Sequence, residues 1–201
     1  MFRIGLYAGA FDPVHSGHIS FALQAKESAE LDKIYFLPER KPRLKPNVEH
    51  YGHRVAMLKQ ALKPYAYFAV HEMVEARFTV SKTLPQLITS FSDDQLVFLF
   101  GSDVIPGLAS WTNASKLIGD REFVVGLRSN DDRETTKRII DNWEALPRAV
   151  TIFDSYAPSV TSQAIRTALG NRQTTAGLLK SVERYSDHNW LYVSLQSIDM
   201  T

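Results

Sequence analysis

His15 and His18 stand three positions apart in the stretch Gly9-Ala10-Phe11-Asp12-Pro13-Val14-His15-Ser16-Gly17-His18, directly after an apolar run. At the start of a helix the first backbone N–H groups have no intrahelical partner, and the helix dipole favours negative charge. Two imidazoles at that place can donate hydrogen bonds to one anion, and each bond to a charged group is worth about 1.5–3 kcal/mol. Gly9 would let a ligand approach the backbone, Pro13 stiffens the turn, and Ser16 is the expected N-cap. The chemistry this suits is phosphate binding. Taken alone, H-x-G-H is equally a pair of polar residues on a surface turn. A zinc site is disfavoured, because the chain has no cysteine and no third ligand lies nearby.

Three further groups of residues carry suitable chemistry. In Ser159-Val160-Thr161-Ser162-Gln163-Ala164-Ile165-Arg166, Thr161 and Ser162 can cap a helix and offer hydroxyls to phosphate. Arg166, one helical turn later, reaches the same anion with several donors. The plainer reading is a capped helix with a surface arginine. Arg40-Lys41-Pro42-Arg43-Leu44-Lys45 packs four cations into six residues, which is either a solvated loop or a screen for a polyanion. Gly101-Ser102-Asp103 precedes Trp111 by seven residues. Alone, that tryptophan reads as a core or edge aromatic.

These residues need a frame that brings them together. Arg3–Gly9, Lys33–Pro38, Tyr67–Val70, Gln95–Phe100, Glu122–Leu127 and Ala149–Phe153 are short runs rich in Val, Ile, Phe and Tyr, and they predict buried strands. Helical patterns lie between and after them, at Gly17–Ala29, His50–Leu62, Ser81–Phe91, Ala114–Ile118, Arg133–Leu146, Ser162–Leu169 and Ala176–Tyr185. Alternation of this kind predicts an α/β fold, a doubly wound parallel sheet with helices on both faces and further helices at the C-terminal side. Ligands of such sheets bind at the carboxyl ends of the strands, where each of these groups falls.

Composition sets the outer limits. The chain has 201 residues, 23 Lys plus Arg against 22 Asp plus Glu, and 44% hydrophobic residues. These values exclude disorder, and a net charge of +1 argues against a broad nucleic-acid footprint. No apolar run reaches the roughly 18 residues of a membrane span, and the start lacks the pattern of a signal peptide. The expectation is a soluble, cytoplasmic protein of one domain over 1–201, with a helical subregion at about 155–190 and a loosely held tail at 191–201.

The decapeptide at 9–18 resembles the G-x-F-D-P-x-H-x-G-H signature of the nucleotidylyltransferase superfamily, matching at every fixed position. Gly101-Ser102-Asp103 with Trp111 is similar to the G-x-D-x(7)-W segment of the bacterial nicotinate and nicotinamide mononucleotide adenylyltransferases. Residues 159–166 are similar to their I-S-S-T-x-I-R motif, with Gln163 where the family has Thr. Lys45 takes the terminal basic position of their P-P-H-[KR] segment, with Leu44 in place of His, and His53-Arg54 through Ala61 resembles the helix that follows. Arg128 takes the Arg of an R-P-G turn, with Ser129-Asn130 in place of Pro-Gly. The sharpest departure is Arg77–Leu84, where Thr79 and Val80 fall on the family's Tyr-Thr positions.

The resemblance covers roughly residues 1–175 and implies a Rossmann-like fold and adenylyl transfer from ATP to a pyridine mononucleotide, with release of pyrophosphate. It implies His15, His18 and Arg166 as catalytic groups. ATP would meet these three together with Gly9, Ala10, Phe11, Lys45, Gly101, Asp103, Thr161 and Ser162. Asp12, Thr79, Trp111 and Arg128 would serve the mononucleotide. Mg²⁺ is expected on the phosphates, with no dedicated protein metal site. Another acceptor such as phosphopantetheine, or a nucleotide-binding regulator without turnover, are the alternatives. Nucleic-acid and membrane partners are not expected, and homo-oligomerisation is left open.

Overall fold

The computed structural model describes residues 1–43, 45–128, 131–156 and 159–193. The Leu44 and Ser129-Asn130 replacements, and the tail beyond 193, lie outside the described residues.

Six strands, β1 (Arg3–Gly9), β2 (Lys33–Pro38), β3 (Phe68–Val70), β4 (Gln95–Gly101), β5 (Glu122–Leu127) and β6 (Ala149–Asp154), form one sheet. All pairs are parallel, in the order β3-β2-β1-β4-β5-β6. This is the Rossmann-like doubly wound order, and its strand sequence reverses between β1 and β4. Register is pinned by alternation. Ile34, Phe36, Val97, Leu99 and Val124 enter one core, while Ile4, Leu6, Leu96, Phe98 and Phe123 enter the other. A one-residue slip would exchange these sets between the faces.

Helices α1 (Ser16–Ser28), α2 (Tyr51–Leu62) and α8 (Lys180–His188) supply apolar side chains to the first core. Helices α3 (Thr83–Ser90), α4 (Ile105–Leu108), α5 (Ala114–Ile118) and α6 (Arg133–Asp141) supply the second. Helix α7 (Ser162–Gly170) follows β6.

Several bounds differ from the sequence pattern, each for a local reason. α6 stops at Asp141 rather than Leu146, because Asn142 leaves helical geometry (φ −91°, ψ 2°) and its side-chain amide donates back to the Arg138 carbonyl. α8 begins at Lys180 rather than Ala176, because Gly177 has φ of 85°, outside helical space. A short helical turn at Ser102–Val104 and α4 were not expected; together they carry the chain away from the end of β4. Within the expected tail Leu191 is held: it is buried in the first core, and the Ser186 hydroxyl donates to its carbonyl at 3.2 Å.

Candidate active site

β1 ends at Gly9, and Phe11 shapes the turn beyond it. Its φ of 47° lies in the left-handed region that bulky residues rarely adopt. The ring holds it there, packing edge-on against Tyr7 and His18 at centroid distances of 5.4 and 5.1 Å. A Cβ on Gly9 would meet that ring at 3.1 Å. Gly9 therefore makes room for Phe11 as well as facing the cleft, a role the sequence assigned to ligand approach alone.

α1 is capped by His15, not Ser16: His15 is extended and Ser16 is already helical. The Ser16 N–H donates to the Gly177 carbonyl at 2.9 Å, and the His18 N–H to the His15 carbonyl at 3.0 Å. Two amides expected to await an anion are thus engaged within the protein. Gly177 is needed for this closure, since a Cβ there would strike Val160 at 2.3 Å.

The imidazoles of His15 and His18 lie 3.8 Å apart, 33° from parallel. His18 Nδ1 accepts from the His15 backbone N–H at 3.2 Å, so the neutral ring carries its proton on Nε2. His15 Nδ1 is buried without a partner. Burial, then the cations Arg128 and Lys45, push the His15 imidazole down to about 4. Burial first, and then His15, Lys45 and Arg128, hold His18 well below the usual imidazole value. Both rings are neutral at neutral pH, each with one N–H to donate.

α7 grips the same turn through Ser162 and Arg166. Thr161 caps it, accepting from the Ala164 N–H at 3.2 Å as the sequence predicts. The Ser162 hydroxyl donates to the Pro13 carbonyl at 3.1 Å. Arg166 Nη1 donates to the Asp12 carbonyl at 2.7 Å and lies 3.6 Å from Asp12 Oδ2. Asp12 was expected beside the mononucleotide. It lines the larger cleft, and its carboxylate is held in that wall, where Oδ1 accepts from the Tyr192 hydroxyl at 2.9 Å and the Glu49 N–H at 3.2 Å.

Beyond β4 and β5, Arg128 and Asp103 form an ion pair at 3.1 Å. The Ser102 hydroxyl bonds the Asp131 carboxylate and accepts from the Arg128 N–H.

Two cavities open at these strand ends. The larger, about 730 Å³, is ringed by His15, His18, Lys45, Asp103, Arg128 and Arg166. Gly9, Ala10, Phe11 and Asp12 line it from the first turn, and Gly101, Thr161 and Ser162 from the later ones. Cations and imidazoles as far apart in the chain as His15 and Arg166 therefore converge, as expected. The smaller cavity, about 220 Å³, is walled by Phe78, Phe98, Phe100 and Trp111. It shares Ala8, Gly9, Ala10, Lys45 and Val104 with the larger one.

Thr79 lines neither cavity, against expectation; Phe78 beside it lines the smaller one. The Thr79 N–H is taken by Thr83 Oγ1 at 3.0 Å, a bond that starts α3. Within the basic loop, Arg43 and Lys45 reach the cavities. Arg40 stacks on Tyr51 at 4.1 Å, and the Lys41 N–H donates to the Ala76 carbonyl.

Sequence reasoning missed four residues. Tyr7 lines the large cleft and Glu39 the small one, yet neither falls in a recognisable motif. Tyr192 gave no signal. Arg54 did: it lies on the same helical stripe as the buried Leu58 and Ala61, where a cation needs a reason to be buried.

Comparison with known proteins gives a consistent picture. The cytidylyltransferase-like family model matches residues 6–169. A probable nicotinate-nucleotide adenylyltransferase of Coprothermobacter proteolyticus is 35% identical, over 94% of this chain and 95% of that protein. The nicotinate-nucleotide adenylyltransferase of Bacillus subtilis is 31% identical, over 96% of this chain and 100% of that protein. Among solved structures, the Plasmodium falciparum nicotinic acid mononucleotide adenylyltransferase complexed with APC superposes with a TM-score of 0.78. Its identity is 15%, and the match covers 96% of this chain and 98% of the other, so the likeness is one of fold.

Proposed function

The chain belongs to the cytidylyltransferase-like family and is a nucleotidyltransferase, and on that premise we propose that it transfers the adenylyl group of ATP to nicotinate mononucleotide, in NAD biosynthesis. The observation that carries this reading is the pair of adjoining cavities of unlike character. One is large and ringed by imidazoles, Lys and Arg; the other is small and walled by aromatic rings. Two phosphate-bearing substrates, one with a planar ring to bury, suit that division.

In this reading ATP lies in the larger cleft and the pyridine ring enters the smaller. An oxygen of the mononucleotide phosphate attacks the α-phosphorus of ATP. A new P–O bond forms, the bond to the bridging oxygen breaks, and pyrophosphate leaves with the electron pair. The nucleophile is already an anion, so no general base is required. Catalysis then rests on holding two anions in line and offsetting charge on the α-phosphate and leaving group. His18 Nε2–H and the His15 ring are the donors proposed for the ATP phosphates, with Arg166 and Lys45 as cations and the N-terminus of α7 adding backbone donors.

Mg²⁺ is proposed to enter on the phosphates, where it neutralises charge. Among the described residues no group of three His, Cys, Asp or Glu is placed to hold a metal ion. Asp103 is paired with Arg128, and Asp12 with Arg166 and Tyr192. The proposal includes a single domain over 1–201 and a cytoplasmic setting; no helix among the described residues is long and apolar enough to cross a membrane.

The test is pyrophosphate release from ATP with nicotinate mononucleotide, nicotinamide mononucleotide and phosphopantetheine offered separately. Release with the nicotinate compound, at the highest kcat/KM, is the expected result. Release only with phosphopantetheine, or ATP binding with no release for any acceptor, overturns the proposal.

A further inference from the structure

The aromatic cavity holds a cation on the face where a planar ring would stack. The Arg43 guanidinium lies 5.1 Å over the ring of Trp111, and Arg43 lines the cavity together with Phe78, Phe100 and Glu39. A guanidinium is weakly hydrated and stacks on indole, so it stays in this largely apolar space where an ammonium would retain its water. The ionisable groups on the cavity wall are Arg43, Lys45 and Glu39. Glu39 is already engaged, with Oε1 accepting from the Phe78 N–H at 2.9 Å, and burial raises its carboxyl above the usual range. The excess in the cavity is positive, and its source nearest the indole is Arg43.

We propose that Arg43 determines which pyridine the cavity accepts, its guanidinium selecting a ring that carries a carboxylate over the same ring carrying a carboxamide. The inference rests on the adenylyl-transfer reading above and names the residue that sets its acceptor. The chemistry is asymmetric. A carboxylate accepts two parallel N–H bonds from a guanidinium, whereas a carboxamide presents one acceptor oxygen beside an NH₂ that opposes the arginine donors. As a pyridine takes the indole face, the long arginine side chain moves to the ring edge, where the substituent lies. The altered segment at 77–84 fits this account: Thr79 lies outside the cavity, and of the two cations on its wall, Arg43 and Lys45, Arg43 is the one stacked on the indole.

The experiment compares wild type, Arg43→Ala, Arg43→Gln and Arg43→Lys at saturating ATP, with nicotinate and nicotinamide mononucleotides in parallel. In Arg43→Ala, kcat/KM for the acid is expected to fall roughly 10- to 100-fold and that for the amide by no more than about threefold. Arg43→Gln, planar and neutral, is expected to move the preference toward the amide, and Arg43→Lys to keep an intermediate ratio. Equal losses on both substrates, or an unchanged acid-to-amide ratio in both neutral variants, overturns the assignment of Arg43 while leaving adenylyl transfer intact. A wild-type protein that releases no pyrophosphate with either mononucleotide overturns both.

Discussion

The Tyr192 hydroxyl donates to Asp12 Oδ1 at 2.9 Å, tying the C-terminal segment to the turn that bears the two histidines. The same aspartate receives Arg166 at its backbone carbonyl, so one buried residue anchors both a phenol and a guanidinium. Burial, and then the Asp12 charge, raise the Tyr192 phenol, which keeps its proton and remains a donor at any working pH. Tyr192 thereby braces the turn that lines the larger cleft.

Tyr192→Phe removes that donor and leaves Asp12 Oδ1 with the Glu49 N–H. A lost hydrogen bond to a buried charge costs about 1.5–3 kcal/mol, and for about 200 residues each kcal/mol lowers Tm by about 2–4 °C. The variant is expected to melt several degrees lower and to show an ATP KM raised about three- to tenfold, because the Asp12 carboxylate facing Arg166 is held by one bond fewer. Melting curves and steady-state kinetics check this. A variant with wild-type Tm and KM would show that the contact is idle.

His18→Ala removes a ring whose tautomer is set by the His15 backbone, so that its Nε2–H is fixed as a donor. If that bond strengthens as charge moves onto the phosphates, kcat falls about 10²–10³-fold while the mononucleotide KM changes by less than about threefold. His18→Gln retains a donor near the same place and is expected to recover part of the loss. Equal losses in kcat and in mononucleotide binding would assign His18 to ground-state binding instead.

The neutral state of His15 has a consequence for stability. Its folded value of about 4 lies below the usual imidazole value, so the unfolded chain takes up a proton first as pH falls. Stability from this group is complete above about pH 6.5 and is lost as pH falls toward about 4, by roughly 3 kcal/mol. His18 acts in the same direction. Thermal melting between pH 7.5 and 4.5 is expected to show a steeper acid decline for the wild type than for His15→Asn. Parallel declines would mean that the ring is solvated and titrates normally.

Much of this arrangement was legible in the chain, and the reasons differ by element. β1, β2 and β5 coincide with their predicted runs because each opens on one charged residue, Arg3, Lys33 or Glu122, and continues in side chains that a sheet covered on both faces buries. The residues at 9–18 and 101–103 follow β1 and β4 directly, and 161–166 follow β6 after six residues, so topology carries all three to one edge of the sheet. What stayed hidden depends on partners distant in sequence. The cap at His15 requires the Gly177 carbonyl, and the placement of Asp12 requires Tyr192. Thr79 is a different case: its role came from the resemblance across a segment that departs from the family pattern, whereas its N–H is taken by Thr83 and it lines neither cavity.

Arg54 supplies the last and most severe case. It is fully buried on α2, and its guanidinium donates to the carbonyls of Glu49 at 2.8 Å, Glu39 at 2.8 Å, Arg40 at 3.2 Å and Ala10. Burial lowers its pKa from the usual arginine value, and the carbonyl fork replaces the lost water. These four carbonyls belong to the first turn and to the loop after β2, which carries Glu39 and leads to Arg43. Arg54→Met would leave several buried acceptors unpaired, each costing about 1–3 kcal/mol, so a loss of more than about 4 kcal/mol is expected. Arg54→Lys keeps the charge but has a single nitrogen, which cannot span the fork, and should recover only part of that stability. Both variants should lose ATP affinity beyond what their global stability explains, because the Ala10 turn is released. Urea unfolding with and without ATP separates the two effects. A lysine variant with wild-type stability and ATP binding would mean that charge alone, without the fork, holds the two loops.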